Sequence, residues 1–262
     1  FWRDLQALNA YISRCQSFLQ AGKPDNDLLL YFPIFDLWAT DHGTEHLLHF
    51  LTVHSEHWLA RNLSDFTVTA RHLWDRGYGF DFVSDQLLEQ AIKVSEKRIE
   101  SGGGTYRALV IAGCTLMQPE TLERILQLVR EGAMVLIVGS LPKDVPGLSD
   151  LAQRRRQLHA LLSSIEPRQT LQPGVSEVRV GQGRLLIGTD LEVMLQIADI
   201  RRESIVDQGI EIIRRRDDSG YLYFLANLGQ KRLDQWVSFP IHAASAAIFD
   251  PINHRHGVAS IK

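Results

Sequence analysis

The stretch of residues 107–139 constrains the fold of this chain more than any other. Residues 107–112 form an apolar run that is typical of a strand buried on both faces, and residues 133–139 form a second one. Between them, Pro119 is placed to begin a helix with an apolar face, and Gly132 is placed to end it. A strand, a helix and a strand in this order predict two parallel strands joined by a right-handed crossover.

The remaining apolar runs extend this unit into a larger sheet. Residues 28–32 are typical of another buried strand, and residues 78–83 of a shorter one, with helical segments before each of them. Beyond residue 149, short strands dominate, with hairpin signals at 181–183 and 217–220. We therefore predict an α/β fold with a doubly wound, mostly parallel sheet, followed by a β-rich portion.

Composition excludes several classes of protein. The chain has 262 residues, with 28 Lys and Arg against 31 Asp and Glu, a formal net charge of −3 and 45% apolar residues. This much apolar material excludes disorder as the main state, and the slightly acidic balance argues against a basic nucleic-acid binder. No apolar run approaches the roughly 18 residues of a membrane span. The two cysteines, Cys15 and Cys114, do not make a disulfide framework in a chain of this length.

Carboxylates follow the ends of two predicted strands. Asp36 comes shortly after the first strand, with Trp38 beside it, and Asp81 and Asp85 lie at and after the end of the next. Ligands of open α/β sheets bind outside the carboxyl ends of the strands, and paired carboxylates there can transfer protons or bind hydroxyl groups. The alternative is that Asp85, with Ser84, only caps a helix and that Asp36 orders a loop.

Five of the ten histidines fall in one segment: His42, His46, His49, His54 and His57. The first three share one helical face with Glu45 if a helix begins that early. Metal binding needs such convergence, but the spacing matches no zinc signature. We therefore expect surface or packing residues here, and no metal site.

Cys114 follows the predicted strand at residues 107–112 and leaves a second reading open. A cysteine at a strand-to-helix turn can act as a nucleophile, as in amidotransferase- or peptidase-like hydrolases. Because the turn lacks the second glycine of a nucleophile elbow, the residues favour a buried, unreactive thiol. A third reading is a module that binds a sugar or a nucleotide. The glycine-rich segments 102–104 and 181–183 do not begin a helix after a strand, so they are not phosphate loops.

Six sequence blocks, taken in order, resemble one family. They are NAYISRCQ at 9–16, DLLLYFPI at 27–34, GYGFDFVSD at 77–85, LPKDVPG at 141–147, YLYFLAN at 221–227 and AIFDP at 247–251. Their order and spacing resemble the α-L-rhamnosidases of glycoside hydrolase family 106 over almost the whole chain. No single block is a catalytic signature, so the resemblance rests on the series.

The resemblance implies a large enzyme that has a catalytic (β/α)₈ barrel followed by accessory domains. It implies that residues 1–22 are the terminal helix of an upstream barrel, 23–148 an accessory α/β domain of the amidotransferase-like or flavodoxin-like kind, and 149–262 a β-rich accessory region. Glycosidases generally need two carboxylates placed across the scissile bond. The family's carboxylates are expected on barrel strands ahead of Phe1, so we expect no catalytic residue in this chain.

We therefore predict a non-catalytic accessory portion of an exo-acting glycosidase that releases α-L-rhamnose from plant or bacterial polysaccharides. Its expected partners are carbohydrate and the upstream barrel, without nucleic acid or a membrane span. The candidate substrate-binding residues are Asp36, Trp38, Asp81 and Asp85. The resemblance further implies no cofactor in this chain, a calcium ion in the upstream barrel, and a periplasmic or extracellular location. The start at Phe1, without Met, leads us to expect a piece of a longer polypeptide.

Overall fold

The computed structural model describes residues 2–40, 56–165 and 169–262. The α-helices in these ranges are α1 Leu5–Leu19, α2 Ile34–Ala39, α3 Glu56–Asn62, α4 Ser64–Asp75, α5 Asp85–Gln90, α6 Pro119–Glu131, α7 Leu151–Leu162 and α8 Leu191–Ile197. The strands are β1 Lys23–Pro24, β2 Leu28–Tyr31, β3 Phe80–Val83, β4 Lys93–Ser95, β5 Arg98–Glu100, β6 Thr105–Tyr106, β7 Ala108–Ala112, β8 Met134–Val138, β9 Gln169–Gln172, β10 Val175–Val180, β11 Gly183–Gly188, β12 Ile210–Asp217, β13 Gly220–Asn227, β14 Ala247–Asp250 and β15 Arg255–Val258. A short 3₁₀ helix covers Ser204–Gln208.

Local sequence explains where α6 begins and ends. Pro119 takes a first-turn position, where its missing N–H costs no helical hydrogen bond. Gly132 follows the last residue with a φ of +120°, which an L side chain rarely adopts. Leu122, Ile125 and Val129 are buried along one face of the helix. Helix α6 joins the neighbouring parallel strands β7 and β8, so the predicted strand–helix–strand unit is confirmed.

Side-chain caps begin two of the shorter helices. The Ser84 hydroxyl accepts a hydrogen bond from the backbone N–H of Leu87 at 3.4 Å, at the start of α5. The Asp190 carboxylate accepts one from the backbone N–H of Val193 at 3.1 Å, at the start of α8. Each cap satisfies one of the N–H groups that a helix leaves without a partner in its first turn.

A seven-stranded sheet organises most of the chain, in the order β3-β2-β7-β8-β11-β10-β9. The strands from β3 to β11 pair in parallel, whereas β10 and β9 run antiparallel to their neighbours. The chain leaves the adjacent strands β2 and β7 in opposite directions, because β2 is followed by β3 on one side and β7 by β8 on the other. This reversal defines the edge at which the candidate residues lie.

The prediction of a doubly wound, mostly parallel sheet of the amidotransferase-like or flavodoxin-like kind, followed by a β-rich portion, is wrong. The main sheet is mixed, and among the described residues three small antiparallel sheets accompany it: β1-β12-β13, β4-β5-β6 and β14-β15. The hairpin of β10 and β11, which we expected in the β-rich portion, instead completes the main sheet. The reason is close packing at Gly183, where a Cβ would lie 2.2 Å from the carbonyl oxygen of Val129, so that only glycine lets β11 begin against the end of α6.

The central strands β2 and β7 of the main sheet are buried on both faces. Leu28 and Leu30 of β2 point into one core, and Leu29 and Tyr31 point into the other, as the alternation of side chains along a strand requires. Helices α6 and α7 contribute to the core on the Tyr31 side, and α4 and α8 contribute to the core on the opposite side. Full burial on both faces explains the continuous apolar run of this strand in the sequence.

The chain divides into two compact units. The sheet unit is Asn26–Arg202, and the terminal unit combines Phe1–Asp25 with Glu203–Lys262. Within the terminal unit, β1, β12 and β13 form one antiparallel sheet and β14 pairs with β15. The hairpin predicted at 217–220 is confirmed, since it joins β12 and β13. The domain boundaries expected after residues 22 and 148 stay predictions.

Candidate functional site

The candidate site lies at the carboxyl edge of the parallel strands, beside the ends of β2 and β7. Because the chain leaves these two neighbours in opposite directions, a crevice opens between the segments that follow them. Helix α2 follows β2 on one side of the crevice, and residues 113–118 follow β7 on the other side. We call residues 113–118 the β7–α6 loop.

Asp36 of α2 is fully engaged by the β7–α6 loop. Its two carboxylate oxygens accept hydrogen bonds from the backbone N–H of Thr115 at 3.0 and 3.1 Å, and one of them accepts from the backbone N–H of Leu116 at 3.2 Å. The Thr115 hydroxyl donates to the same carboxylate. Hydrogen bonds to a charged acceptor are the stronger kind, so Asp36 anchors this loop to α2.

The β7–α6 loop is also fixed from other directions. Gly113 has a φ of +61°, and a Cβ there would lie 2.8 Å from the Cβ of Asp65, so the backbone packs closely against the start of α4. The carbonyl oxygen of Thr115 accepts hydrogen bonds from the backbone N–H groups of Lys143 and Asp144, at 2.8 and 3.2 Å. The loop therefore has a defined conformation, held from three sides.

A cavity of about 300 Å³, which we call the Asp36 cavity, opens beside this loop. Its polar lining comprises Asp36, Thr40, Asn62, Ser64, Asp65 and Thr115. Carboxylate, amide and hydroxyl groups of this kind exchange hydrogen bonds with sugar hydroxyls. The two carboxylates repel a phosphate group, so this lining favours a neutral saccharide over a nucleotide.

Asp85, the first residue of α5, connects three elements through one oxygen. Its Oδ1 accepts hydrogen bonds from the hydroxyl groups of Tyr31 and Thr121, both at 2.8 Å. Tyr31 is fully buried at the end of β2, and this burial, followed by the nearby Cys114 and Asp85, raises the pKa of its phenol far above the usual value. The phenol therefore stays protonated and donates to Asp85.

The other two candidate residues have different surroundings. Asp81 on β3 accepts a hydrogen bond from the hydroxyl of Tyr106 at 2.9 Å, and burial raises the pKa of Tyr106 to about 12. Trp38 on α2 is 69% exposed, and its ring meets the Phe35 ring edge-on with centroids 5.6 Å apart. Neither Asp81 nor Trp38 is among the described residues that line the Asp36 cavity.

Of the four candidates, only Asp36 is among the described residues that line the Asp36 cavity, and Asp85 is related to it electrostatically. The charges of Asp36 and Asp85 both raise the pKa values of Tyr31 and Cys114, so the two carboxylates lie in one electrostatic neighbourhood. Asp81 belongs to a separate hydrogen-bonded pair, and Trp38 is a surface side chain. That any of the four binds substrate stays a prediction.

Cys114 is buried, with 3% of its surface exposed, and its thiol donates to the carbonyl oxygen of Leu116 at 3.5 Å. Burial, followed by the charges of Asp36 and Asp85, raises the pKa of this thiol well above its usual value. Since the thiolate is the nucleophilic form, these surroundings argue against the cysteine-dependent hydrolase that the sequence left open.

The histidine cluster falls outside the residues whose side chains the structure describes. His42, His46, His49 and His54 lie outside the described ranges, as does the side chain of His57. Within the described ranges, no three side chains of His, Cys, Asp or Glu come together in a way that could hold a metal ion. None of the helices described is long and apolar enough to cross a membrane.

Sequence reasoning missed the hydroxyl groups that complete the site. Tyr31 did carry a signal, because a tyrosine inside an aliphatic buried run needs a hydrogen-bond partner for its hydroxyl. Thr115 carried none, since its bonds to Asp36 join residues 79 positions apart. Thr121 similarly reaches Asp85 across 36 positions.

Comparison with known proteins identifies the family. The family model of glycoside hydrolase family 106, described as α-L-rhamnosidase, matches residues 60–258. Because this match covers well over half of the chain, the chain belongs to the α-L-rhamnosidase family. The predicted resemblance is confirmed.

Individual relatives match over only part of their own length. A Formosa agariphila protein, provisionally named a β-glucuronidase, is 25% identical to this chain over an alignment of 272 residues. The alignment covers 100% of this chain and 20% of that protein. The rhamnosidase structure from Novosphingobium sp. PP1Y aligns with a TM-score of 0.57 at 20% identity, over 84% of this chain and 19% of that chain, and so supports the fold alone. A family 42 β-galactosidase from G. stearothermophilus gives a TM-score of 0.49 at 12% identity, over 90% of this chain and 38% of its own. The chain thus spans about a fifth of the length of the first two relatives.

Proposed function

We propose that this chain is a non-catalytic accessory portion of an exo-acting glycosidase that releases α-L-rhamnose from polysaccharides, and that the Asp36 cavity contacts the saccharide. The observation that carries the proposal is the engagement of Asp36. Its carboxylate accepts hydrogen bonds from the backbone N–H groups of Thr115 and Leu116. A glycosidase needs one carboxyl group that protonates the leaving oxygen and one that attacks or activates water. A carboxylate that accepts several hydrogen bonds from its own chain supports a structural role better than either of these.

The second carboxylate of the neighbourhood is engaged through one oxygen. Oδ1 of Asp85 accepts hydrogen bonds from Tyr31 and Thr121, so this oxygen is directed at the protein rather than at a glycosidic bond. This supports a structural role for both carboxylates. The length of the relatives supports the same proposal, because about four fifths of each has no counterpart in this chain and can hold a catalytic barrel with its calcium ion.

The lining of the Asp36 cavity supports a saccharide as its ligand. Thr40, Ser64 and Asp65 present two hydroxyl groups and a carboxylate to the cavity. Such groups act as donors and acceptors toward the hydroxyls of an uncharged sugar such as rhamnose. The cavity volume of about 300 Å³ lies at the lower end of the range for small-ligand sites.

Titration of the chain with L-rhamnose, followed by heteronuclear NMR, tests the binding part of this proposal. We expect saturable shifts at the cavity residues with a Kd of about 1–10 mM, the weak range for a small neutral ligand. Asp65→Asn should weaken binding at least ~5-fold, because it removes a charged acceptor from the cavity. Asp75→Asn is the matched control, since Asp75 lies at the other end of the same helix α4 and its side chain is 58% exposed.

Two results would contradict the proposed saccharide contact. One is the absence of shifts at the cavity residues up to about 50 mM rhamnose, well above the expected Kd. The other is equal weakening by Asp65→Asn and Asp75→Asn, which would show that the effect does not come from the cavity.

A further inference from the structure

A second cavity, of about 430 Å³, lies at the amino ends of the parallel strands, where β7, β8 and β11 begin. We call it the arginine cavity. Its lining comes from five segments: residues 96–98, Arg107, 132–134, 182–184 and 198–199. The Asp36 cavity lies at the opposite, carboxyl edge of the same sheet, so the two cavities are separate.

Two arginines of this cavity differ in how their charges are compensated. Arg107 donates from Nε to the Asp27 carboxylate at 2.9 Å and from one guanidinium nitrogen to the Asp199 carbonyl oxygen at 3.4 Å. Arg98 is half-buried, and among the described residues its guanidinium has no hydrogen bond and no ion pair. Burial, followed by the charge of Arg107, lowers the pKa of Arg98, although Asp27 and Asp199 act in the opposite direction. A partly desolvated cation without its own acceptor is unfavourable, and an anion placed beside it would relieve this.

The carboxylates around the cavity act on Arg98 through their charge, without a hydrogen bond to it among the described residues. Arg184 lies 3.2 Å from the carboxylate of Glu177, whose side chain is only 1% exposed and which also pairs with Arg179 at 2.9 Å, so this carboxylate is already shared by two guanidinium groups. The side chain of Asp199 is 80% exposed, and its carboxylate lies 4.0 Å from the guanidinium group of Arg107. Glu96 and Lys97 at the rim are both exposed and carry opposite charges. Among the described residues, Arg98 is therefore the arginine of this cavity that has neighbouring carboxylates but no hydrogen bond or ion pair of its own.

Left-handed backbone shapes the rim of the same cavity. Glu96, Lys97 and Asp199 have φ values of 50°, 61° and 53°, and all three line the arginine cavity. Glu96 and Lys97 form the two-residue turn between β4 and β5, and Asp199 follows the end of α8, where its N–H bonds to the carbonyl oxygen of Gln196, so these conformations have a local structural cause. The turn formed by Glu96 and Lys97 sets the position of Arg98 at the start of β5.

We propose that the arginine cavity binds the carboxylate of an acidic saccharide between Arg98 and Arg107. A planar carboxylate matches the fork of a guanidinium group and can take two parallel hydrogen bonds from it. The polar lining and the volume of about 430 Å³ leave room for the sugar ring that carries the carboxylate. The choice of a saccharide rests on the membership of the glycosidase family, whereas the choice of an anion rests on the two arginines.

Isothermal titration calorimetry of the full chain with D-glucuronate tests this proposal, with D-glucose as the uncharged counterpart and inorganic phosphate as the free anion. We expect saturable glucuronate binding with a Kd of about 1 mM or below, and at least ~10-fold weaker binding of glucose and of phosphate. Arg98→Gln should weaken glucuronate binding at least ~10-fold, because it removes a charged, bidentate donor. Arg156→Gln, which changes an exposed arginine of α7 outside the cavity, should stay within about 2-fold of the parent chain.

A further variant keeps the test informative if Arg98→Gln does not fold. Arg98→Lys retains the positive charge but not the fork, and we expect at least ~3-fold weaker binding of glucuronate. No saturable heat with glucuronate, or equal affinity in the parent chain and in the Arg98 variants, would overturn the proposal. Phosphate binding as tight as glucuronate binding would overturn the assignment to a saccharide. Rhamnose binding at the Asp36 cavity is measured with other variants, so failure of one proposal does not decide the other.

Discussion

Replacement of Asp36 by alanine tests whether this carboxylate is structural. Asp36→Ala removes the acceptor for the backbone N–H groups of Thr115 and Leu116 and for the Thr115 hydroxyl. We expect the free energy of unfolding of the sheet unit to fall by about 2–3 kcal/mol. We also expect the β7–α6 loop to loosen while the strands of the sheet stay in place.

The magnitude follows from the exposure of each donor. The N–H of Leu116 is partly buried, and a buried donor left without a partner costs about 1–1.5 kcal/mol. The N–H and hydroxyl of Thr115 are exposed, so water replaces much of what they lose and each costs about 0.5 kcal/mol. Loss of the charged acceptor adds to these costs and brings the total decrease in the free energy of unfolding to about 2–3 kcal/mol. In a domain of roughly 150–250 residues, this corresponds to a Tm lower by about 4–12 °C.

Urea unfolding followed by circular dichroism measures this effect. Asp36→Asn should be intermediate, because its amide oxygen still accepts one or two of the hydrogen bonds. Asp75→Asn is the control, since loss of an exposed ion pair changes stability by less than about 0.5 kcal/mol. If Asp36→Ala differs from the parent chain by no more than this control, Asp36 does not hold the loop, and the argument for a structural carboxylate fails.

Three further predictions concern the neighbouring groups. Cys114 is buried and its pKa is raised. In a Cys15→Ser background, it should therefore react with a thiol reagent at least ~100-fold more slowly in the native chain at neutral pH than in urea. Fast labelling of the native chain would support the cysteine-dependent hydrolase. Tyr31→Phe should cost about 1–2 kcal/mol in urea unfolding, since a buried hydrogen bond to a carboxylate is lost; an unchanged midpoint would mean that the bond contributes nothing. A hydrogen bond from Arg155, followed by one from a backbone N–H, lowers the pKa of Asp144 to about 2. A lowered folded-state pKa adds stability that is present above the ordinary pKa and is lost as the pH falls toward 2. The stability difference between the parent chain and Arg155→Gln should therefore be small and should shrink between about pH 4 and pH 2; a difference that does not change over this range would contradict this prediction.

The parts of the fold that could be predicted from sequence are those that depend on local chemistry. Pro119 and Gly132 mark the ends of α6 because each restricts or frees the backbone at its own position. The turn at 181–183 was likewise identified from its glycines. Which sheet that hairpin joins could not be predicted, because it depends on close packing of Gly183 against Val129, a residue of α6 that is 54 positions away in the sequence.

The candidate site divides in the same way. The rule that ligands bind at the carboxyl ends of parallel strands drew attention to Asp36 and Asp85 from their positions alone. Their partners, Thr115 and Thr121, are distant in sequence and carry no local signal. The partial burial of Arg98, which lowers its pKa, depends on tertiary packing that the sequence does not encode locally.

Turnover of an aryl α-L-rhamnoside by the purified chain tests most directly whether it is non-catalytic. We predict release of the phenol no faster than in buffer between about pH 4 and pH 8, the range over which carboxylate-dependent glycosidases work. Asp36→Asn and Asp85→Asn should then give the same background rate. Turnover by the chain that falls at least ~100-fold in either variant would contradict this account, because a loss of that size is typical of a general acid or base.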